Sequence, residues 1–359
     1  MKVVFFARLF YPHIGGVEKH VLEIGKRLVK KGHEVTVITE QLEEAHSPHK
    51  QSKSSSARHL GEIDGVKILR INPGKNDWFK KFRIWKELWK KRAYIKSADI
   101  VHCHDVFFWY LPFRFLFPFK KVYTTFHGYE GNSLLTKKAI VMHKLAEKLS
   151  AGNICVGDYL KKWYGTKPSI VIYGAISVPK NLPVLVQPKI IKNVLYIGRL
   201  EEEAGILIYL KALKILKDLG INLKLTVLGD GSQKKQAQTY SLKNNLNVIF
   251  KGFVKEVYDY LPSADIVFTS RYLGTLESLI FKKMVFCVYN NEIKKDCFFL
   301  SPFGKFIVIE NNPKALSEEI LKYIKNPSLY HNKITNAYKW VKSQTWEHLA
   351  KQYVQLWKI

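Results

Sequence analysis

Acidic residues are scarce in this sequence. Its 359 residues include 30 Asp and Glu against 58 Lys and Arg, so the formal net charge is +28 at pH 7. A surface with so few carboxylates attracts groups of negative charge. The composition therefore favours an anionic partner, for which nucleic acid, an anionic lipid surface and an acidic small ligand are the three candidates.

Cysteine is also rare. The four cysteines are Cys103, Cys155, Cys287 and Cys297, and no two of them have the CxxC spacing of zinc ligands or redox pairs. This scatter argues against a zinc site and against a disulfide framework. It fits a chain that works in a reducing cytoplasm.

Long hydrophobic runs are missing as well. The longest apolar stretch, 106–119, contains Pro112, Arg114 and Pro118, and it falls short of the roughly 20 residues that a spanning helix needs. The first strand begins at Lys2, without the charged and apolar regions that precede a secretory cleavage site. We therefore expect a cytoplasmic protein whose membrane attachment, if any, is peripheral and on the inner face of the cell membrane.

The segment from Trp78 to Arg92 predicts an amphipathic helix with aromatic residues on one face. Trp78, Phe82, Trp85 and Trp89 recur at spacings of three and four residues, and basic residues occupy most of the remaining circumference. A segment lying in an anionic membrane interface, a core-packing helix with a solvated basic face, and a nucleic-acid contact all fit this pattern. No nucleic-acid-binding motif accompanies the charge, so we expect no nucleic-acid partner.

Strands and helices alternate along the whole chain. Predicted strands lie at 2–8, 34–39, 66–72, 99–103, 122–127, 153–156 and 169–173, and then at 193–198, 223–228, 248–251, 266–269, 285–289 and 306–310. Such alternation is typical of parallel sheets that are covered by helices on both faces. We therefore predict an α/β fold with two Rossmann-like domains facing a cleft, and a ligand at the carboxyl ends of the strands.

The proline-containing segment 178–192 marks the expected linker between the two domains. Residues 1–177 then form the N-terminal domain, and 193–344 form the C-terminal domain. Residues 345–359 are expected to form a final helix. The polar, serine-rich segment 41–60 predicts a mobile loop.

Glycine-rich turns follow the first strand of each half. Gly15 and Gly16 precede a predicted helix in the first half, and Gly198-Arg199 follows the strand 193–197 in the second. Glycine lets backbone N–H groups approach a ligand closely, and the amino end of a helix favours phosphate oxygens. Two such turns indicate a phosphate-containing ligand.

The motifs, taken in order, resemble those of the family-4 glycosyltransferases, which have the GT-B fold and transfer sugars from nucleotide donors with retention of configuration. The resemblance covers nearly the whole chain. It implies that 1–177 form the acceptor-side domain, that 193–344 form the nucleotide-sugar-binding domain, and that the helix 345–359 crosses back to the N-terminal domain. It rests on the segments 15–18, 99–104, 126–128, 198–200, 229–231, 252–254, 264–266, 276–279 and 345–348. Each motif is weak alone, and their order and spacing make the set specific.

The resemblance implies roles for particular residues. Arg199 contacts the donor diphosphate, Gly15 and Gly16 let the first loop approach the phosphates, and His127 contacts the transferred sugar or its phosphate. Glu277, expected at a helix start, matches the second glutamate of the family's E-x7-E pattern, which binds ribose hydroxyls. The residues expected to shape the nucleotide pocket are Gly229, Asp230, Gly252 and Phe253.

Two positions depart from the family pattern. The family places a lysine five residues after the arginine of its Gly-Arg motif, where this chain has Ala204. The first glutamate of the E-x7-E pattern is Ser270 here, so the usual ligand of the donor-sugar hydroxyls is absent. Arg271 lies beside the same strand end and is the expected substitute for the missing cation.

The expected activity is hexosyl transfer with retention, from a UDP- or GDP-sugar to an acceptor hydroxyl, without a metal or another cofactor. His127 and Arg199 are the catalytic candidates. The acceptor is expected to be a glycan or lipid-linked molecule at an anionic membrane surface, in glycolipid or polysaccharide synthesis. Three alternatives remain open: a GT-B sugar-nucleotide epimerase, a catalytically silent binding or scaffold protein, and a basic nucleic-acid-binding protein.

Overall fold

The computed structural model describes residues 1–13, 15–41, 61–128, 135–180, 182 and 190–358. The predicted mobile loop therefore lies outside the described residues, apart from Gln41, as does much of the predicted linker. The chain divides into two compact units. Unit 1 contains Met1–Gly128, Leu135–Ile172 and the C-terminal helix, and unit 2 contains Tyr173–Thr345.

Unit 1 is built on an eight-stranded sheet. Its strands are β1 Lys2–Ala7, β2 Glu34–Glu40, β3 Glu62–Ile63, β4 Val66–Ile71, β5 Ile100–His104, β6 Lys121–Phe126, β7 Gly152–Val156 and β8 Ile170–Ile172. The spatial order is β3-β4-β2-β1-β5-β6-β7-β8, and all pairs are parallel except β3 with β4. The central strands are apolar on both faces because helices cover both sides of the sheet.

In the described part of residues 1–172, six helices accompany these strands. They are α1 Gly16–Lys30, α2 Lys80–Lys90, α3 Arg92–Ser97, α4 Phe107–Leu116, α5 Lys137–Leu149 and α6 Tyr159–Tyr164. The single helix predicted over 78–93 is therefore two helices, with a break at Lys91, whose backbone dihedral angles are not helical.

Unit 2 is built on a six-stranded parallel sheet. Its strands are β9 Asn193–Ile197, β10 Lys224–Leu228, β11 Val248–Gly252, β12 Ile266–Phe268, β13 Met284–Val288 and β14 Val308–Glu310, in the order β11-β10-β9-β12-β13-β14. Its helices are α7 Ile206–Asp218, α8 Lys234–Lys243, α9 Tyr272–Ile280, α10 Glu292–Phe299, α11 Pro313–Lys325 and α12 His331–Val341. Between β11 and β12 the chain forms a short 3-10 turn, Val257–Asp259, although its sequence suggests a helix over 255–261.

The last helix, α13 Trp346–Trp357, belongs to unit 1, where it packs against α1. Trp346, Tyr353 and Trp357 are buried there. None of the helices in the described part of the chain is long and apolar enough to cross a membrane.

Each sheet has one point where the chain reverses its direction of travel across the strands. In unit 1 the first strand, β1, lies between β2 and β5, and in unit 2 the first strand, β9, lies between β10 and β12. In open parallel sheets ligands bind at the carboxyl ends of the strands at such a point. The predicted α/β fold with two parallel-sheet domains is confirmed. The topology predicts ligand sites at the carboxyl ends of β1 and β9.

Candidate functional site

The carboxyl ends of β9, β10 and β11 in unit 2 are joined through glycines. The Gly229 N–H donates to the Gly252 carbonyl at 2.7 Å, and the Gly198 N–H donates to the Leu228 carbonyl at 3.2 Å. A Cβ atom on Gly229 would lie 1.8 Å from the Gly198 carbonyl oxygen. Gly229 is therefore required for close backbone packing at the strand ends.

Asp230 and Phe253 lie next to these glycines. The Asp230 carboxylate accepts from the Gly231 N–H at 2.9 Å and pairs with Lys234 at 2.7 Å, at the start of α8. Asp230 is therefore engaged in shaping its own turn. Phe253 is partly exposed, which leaves its ring available for contact with a ligand.

Basic residues surround one carboxylate beyond the ends of β9 and β12. Arg271 forms an ion pair with Glu203. Burial raises the pKa of the Glu203 carboxyl, but the charges of Arg271 and Arg199 outweigh burial and hold it below its ordinary value. Arg199 is itself exposed. The three side chains form a cluster with more positive than negative charge.

Lys294 adds a third cation to this cluster, and the sequence analysis did not identify it. Its Nζ donates to the Ser270 carbonyl at 2.5 Å. Burial, followed by the charge of Arg271, lowers the pKa of Lys294 to about 8. A sequence signal was present in Asn291, a residue type that commonly caps helices. It accepts from the Lys294 N–H at 2.8 Å and so places Lys294 in the first turn of α10.

The two positions that depart from the family pattern are both buried. The Ser270 hydroxyl is paired with the Tyr209 hydroxyl at 3.0 Å and accepts from the Val288 N–H at 3.2 Å. Ala204 ends a 3-10 turn and is 1% exposed. Neither side chain presents a charge, so the basic character of this edge comes from Arg199, Arg271 and Lys294.

Glu277 does not lie at a helix start, as the sequence suggested. Helix α9 begins at Tyr272, with Arg271 as its N-cap residue, so Glu277 is in the second turn. Its side chain is 4% exposed. The prediction was wrong because the helix begins two residues earlier than its apolar pattern indicated. A buried carboxylate in this place is not explained by the helix dipole, which acts over the first turn.

A cluster of histidines lies at the strand ends of unit 1. His104 ends β5, His127 follows β6, and His20 is on α1. The His104 Nδ1 and His127 Nε2 atoms are 2.8 Å apart, and the His20 and His127 rings meet edge to face with centroids 4.8 Å apart. Burial lowers the pKa of His20 to about 3 and those of His104 and His127 well below the usual value, so all three are neutral.

A buried chain of hydrogen bonds sets the proton positions around His20. Trp357 Nε1 donates to His102 Nδ1 at 3.1 Å, so His102 carries its proton on Nε2 and donates it to Thr125 at 2.7 Å. Thr125 then donates to Tyr353, and Tyr353 donates to His20 Nε2, each at 2.8 Å. His20 therefore keeps its proton on Nδ1.

The His104–His127 bond has a preferred direction. His104 Nε2 is buried and has no partner among the described residues. An unsatisfied acceptor at His104 Nε2 costs less free energy than an unsatisfied N–H donor would. His104 therefore carries its proton on Nδ1 and donates it to His127 Nε2. His127 then keeps its proton on Nδ1 and is half-buried, while its backbone N–H donates to Asp105 at 2.8 Å. His127 is thus a fixed, neutral hydrogen-bond donor.

The same three histidines offer ring nitrogens that lie within 4.8 Å of one another. Neutral imidazoles are common ligands of transition metals. The sequence did not reveal the group because its members come from three separate elements. A metal ion here would have to replace the hydrogen bond between His104 and His127.

The glycine loop that precedes α1 lies in the same unit. A Cβ atom on Gly16 would meet no atom within 4 Å, whereas one on Gly15 would lie 2.4 Å from a Glu18 carboxylate oxygen. Glu18 is buried and accepts from His13 Nδ1 at 2.9 Å. Gly16 therefore faces open space, and Gly15 makes room for the buried Glu18 carboxylate.

Helix α2 does not bury most of the aromatic face that its sequence pattern defines. Its buried residues are Ile84 and Leu88, whereas Trp78 is 85% exposed, Phe82 56% and Trp89 48%. The core-packing interpretation is therefore wrong for these three aromatic residues. We call this face the α2 aromatic surface; it comprises Trp78, Phe79, Phe82 and Trp89.

The α2 aromatic surface continues towards α3 and α4. A groove of about 530 Å³ is lined by Trp89, Lys90, Arg92, Ala93, Lys96, Leu116 and Phe117. Exposed apolar and basic side chains therefore alternate along this side of unit 1.

Two protein-family models match the chain. The model described as Glycosyltransferase Family 4 matches residues 14–178, and the model described as Glycosyl transferases group 1 matches residues 177–340. A relative named as an uncharacterized glycosyltransferase of Methanocaldococcus jannaschii is 25% identical over 366 residues, which covers 97% of this chain and 95% of the relative.

Solved structures share the fold. A glycosyltransferase from Rickettsia africae has a TM-score of 0.74 and 16% identity, with 99% of this chain and 97% of that chain covered. Anabaena HepE in complex with UDP and glucose has a TM-score of 0.75 and 13% identity, with 99% and 98% covered. These likenesses support the GT-B fold. The two family models together match residues 14–340 and confirm the resemblance: the chain belongs to the family-4 glycosyltransferases, and it is a glycosyltransferase.

Proposed function

We propose that this glycosyltransferase moves a hexose, with retention of configuration, from a UDP- or GDP-sugar to an acceptor hydroxyl. The observation that carries the proposal is the placement of Arg199 and Arg271 around the Glu203 carboxylate, where the positive charge exceeds the negative charge. A nucleoside diphosphate leaving group carries two or more negative charges, and such a cluster offsets them. HepE in complex with UDP and glucose, which has the same fold, supports this class of donor.

The donor contacts follow from the arrangement in unit 2. Arg199 and Arg271 face the diphosphate, and Glu277 accepts hydrogen bonds from the ribose hydroxyls. Gly229, Gly252 and Asp230 set the loops of the nucleotide pocket, and the ring of Phe253 contacts the nucleotide. Gly16 leaves the loop of unit 1 open to phosphate oxygens, and Gly15 accommodates the Glu18 carboxylate beside it.

Retention through a covalent intermediate would need a carboxylate as nucleophile. Three carboxylates near the strand ends of the two sheets are each engaged by another group. Glu203 pairs with Arg271, Asp230 with Lys234, and Asp105 accepts from the His127 N–H. We therefore favour attack on the face from which the diphosphate departs. The departing phosphate takes the proton of the acceptor hydroxyl, and Arg199 stabilises the negative charge.

His127 contributes a hydrogen bond to the reacting sugar. Its neutral ring, held by His104, presents an Nδ1–H donor suited to a sugar hydroxyl or a phosphate oxygen. The proposal assigns charge stabilisation to the chain's own cations, and neither a metal nor a further cofactor has a step in it.

Donor identity can be tested by thermal stabilisation with UDP-, GDP-, ADP- and TDP-sugars. We expect a UDP- or GDP-sugar to raise Tm. A ligand at about 100 times its Kd stabilises the folded protein by about 2.7 kcal/mol, which corresponds to a rise of roughly 5–10 °C in a domain of this size. Stabilisation by none of the four, or by ADP-sugars alone, would contradict the proposed donor class. Binding without sugar transfer or hydrolysis would indicate a catalytically silent protein.

The acceptor is proposed to be a glycan or a lipid-linked molecule at an anionic membrane surface, in glycolipid or polysaccharide synthesis. The α2 aromatic surface supports this because it combines exposed tryptophans with basic residues, as interfacial segments do. Each lysine near an anionic surface contributes about 1 kcal/mol. The proposed location is cytoplasmic and peripheral to the membrane.

We expect the protein to sediment with vesicles that contain anionic lipid, to bind neutral vesicles weakly, and to be partly released by salt. Changing Trp78 and Phe82 to Ser should reduce binding even at low salt. Changing Lys81 and Lys86 to Gln should remove the preference for anionic lipid. Trp85 is left unaltered because its Nε1 donates to the Phe108 carbonyl at 2.9 Å and supports the fold.

The matched controls for the vesicle experiment lie in unit 2. Leu329 is 74% exposed, and Leu329→Ser removes an exposed apolar side chain outside the α2 aromatic surface. Lys243→Gln does the same for a basic side chain. Equal losses in the controls and in the α2 variants, or no binding to anionic vesicles at low salt, would refute the membrane contact.

A further inference from the structure

The ammonium of Lys294 is held without a carboxylate partner of its own. Its Nζ donates to the Ser270 carbonyl at 2.5 Å and lies over the Phe298 ring, 5.2 Å from its centroid. Within the part of the chain that the structure describes, no carboxylate oxygen lies within 4.0 Å of it. A neutral carbonyl leaves the positive charge uncompensated.

The nearby carboxylate of Glu203 does not neutralise the charge of Lys294. The Glu203 carboxylate acts on Lys294, but it is already paired with Arg271. Arg271 also has a buried Nε atom without a hydrogen-bond partner in the described residues. Two cations therefore share one carboxylate, and hydrogen-bonding capacity on the cationic side is unfilled.

A partly buried, uncompensated cation is costly unless an anion completes the site. The alternative is that Lys294 only supports the loop after β12 through the Ser270 carbonyl. A neutral donor could serve that purpose at lower cost. The presence of an ammonium beside a guanidinium therefore fits an anionic ligand.

We propose that Lys294 binds the anionic part of the donor, together with Arg271, and supplies the cation that position 204 lacks. The inference rests on the proposed function. The group bound is an anionic oxygen, which is either a phosphate oxygen of the nucleoside diphosphate or a carboxylate on the donor sugar. Because Ser270 replaces a carboxylate at this strand end and Lys294 adds a positive charge, the site also suits an acidic sugar.

The test compares Lys294→Met with the unaltered protein by calorimetry. The probes are UDP and uridine, GDP and guanosine, and UDP-glucose with UDP-glucuronate. Lys294→Arg keeps the charge, and Lys295→Met is the matched control, since Lys295 is on the same helix and pairs with Glu292 at 3.2 Å. Far-UV circular dichroism and Tm establish that each variant is folded.

We expect Lys294→Met to weaken binding of the nucleoside diphosphate at least tenfold and to leave nucleoside binding unchanged. That result identifies the phosphate as the bound group. A loss confined to UDP-glucuronate, with UDP and UDP-glucose unaffected, also supports the proposal and identifies the sugar carboxylate. Lys294→Arg should recover most of the affinity, and Lys295→Met should behave as the unaltered protein.

Unchanged affinity of Lys294→Met for all the anionic probes would overturn the inference while leaving the proposed function intact. Failure of the unaltered protein to bind either diphosphate would instead overturn the proposed function. Equal losses for the diphosphate and its nucleoside would show that Lys294 acts only on the structure of the loop, and the inference would fail.

The pH dependence gives an independent readout. The titratable groups around Lys294 are Arg271, Glu203, Cys287 and Cys297, and its own pKa is lowered to about 8. A lysine binds an anion only when protonated, so affinity should fall as the pH rises through about 8. The bound anion moves this midpoint upward. Lys294→Met should lack the fall, and an identical fall in the variant would contradict the assignment.

Discussion

Replacing Arg199 by alanine is expected to lower kcat for sugar transfer by about 10²–10³, the usual loss when one donor to a developing charge is removed. Arg199 follows β9 at the strand-order reversal of unit 2 and is exposed, so its loss removes charge without opening a cavity. Diphosphate affinity should fall far more than nucleoside affinity. Initial rates with the donor found in the stabilisation screen, and calorimetry with UDP and uridine, measure the two effects.

Two variants control the Arg199 experiment. Lys251→Ala removes an exposed cation from β11 in the same unit and should change neither rate nor affinity. Arg199→Lys keeps the charge but loses the planar, forked set of donors, so it should recover only part of the rate. If the affinities for UDP and uridine fall equally in Arg199→Ala, the guanidinium does not meet the phosphates.

Replacing Glu277 by alanine should weaken nucleotide binding by about 1.5–3 kcal/mol, the usual contribution of hydrogen bonds to a charged group. Because a buried carboxylate accepting from ribose acts on the nucleoside, UDP and uridine should lose affinity equally. The sharper readout is the ratio of affinities for UDP and its 2′-deoxy analogue. This ratio should move towards one, since the altered site no longer distinguishes the hydroxyl.

Glu277→Gln is the isosteric control for that experiment. It keeps the volume of a side chain that is 4% exposed, so a cavity cannot explain its effect. Glu277→Gln should lose part of the affinity and retain Tm. Full retention of both affinity and 2′-hydroxyl discrimination in Glu277→Ala would remove Glu277 from the nucleotide site.

Local patterns predicted the architecture well where strands are buried. The apolar runs of β1, β5 and β9 could be read directly, because strands covered on both faces are continuously apolar. Strand β3 was not among the predicted strands, although the sequence contains a signal for it. Asp64 and Gly65 have φ of 49° and 80° and join β3 to β4, and Asp-Gly is a strong hairpin signal.

Helix faces and charge compensation could not be read from local patterns. Spacing placed Trp78, Phe82 and Trp89 on one side of α2, yet the core took Ile84 and Leu88 instead. The spacing of residues predicts which side chains share a face of a helix. Which face is buried depends on the helices and strands that pack against it. Sequence patterns missed Lys294 for a related reason: its relation to Arg271 depends on the hydrogen bond that brings α10 to the Ser270 carbonyl after β12.

The sequence by itself determined the class of fold and the family, because both depend on features that are local and ordered along the chain. It also indicated Arg199, His127 and Glu277, whose roles stay predictions. Only the tertiary structure decided which groups are paired, buried or left with charge, since these properties arise from residues far apart in sequence. The proton positions at His20, held by Tyr353 on the last helix, and the uncompensated ammonium of Lys294 belong to that second kind.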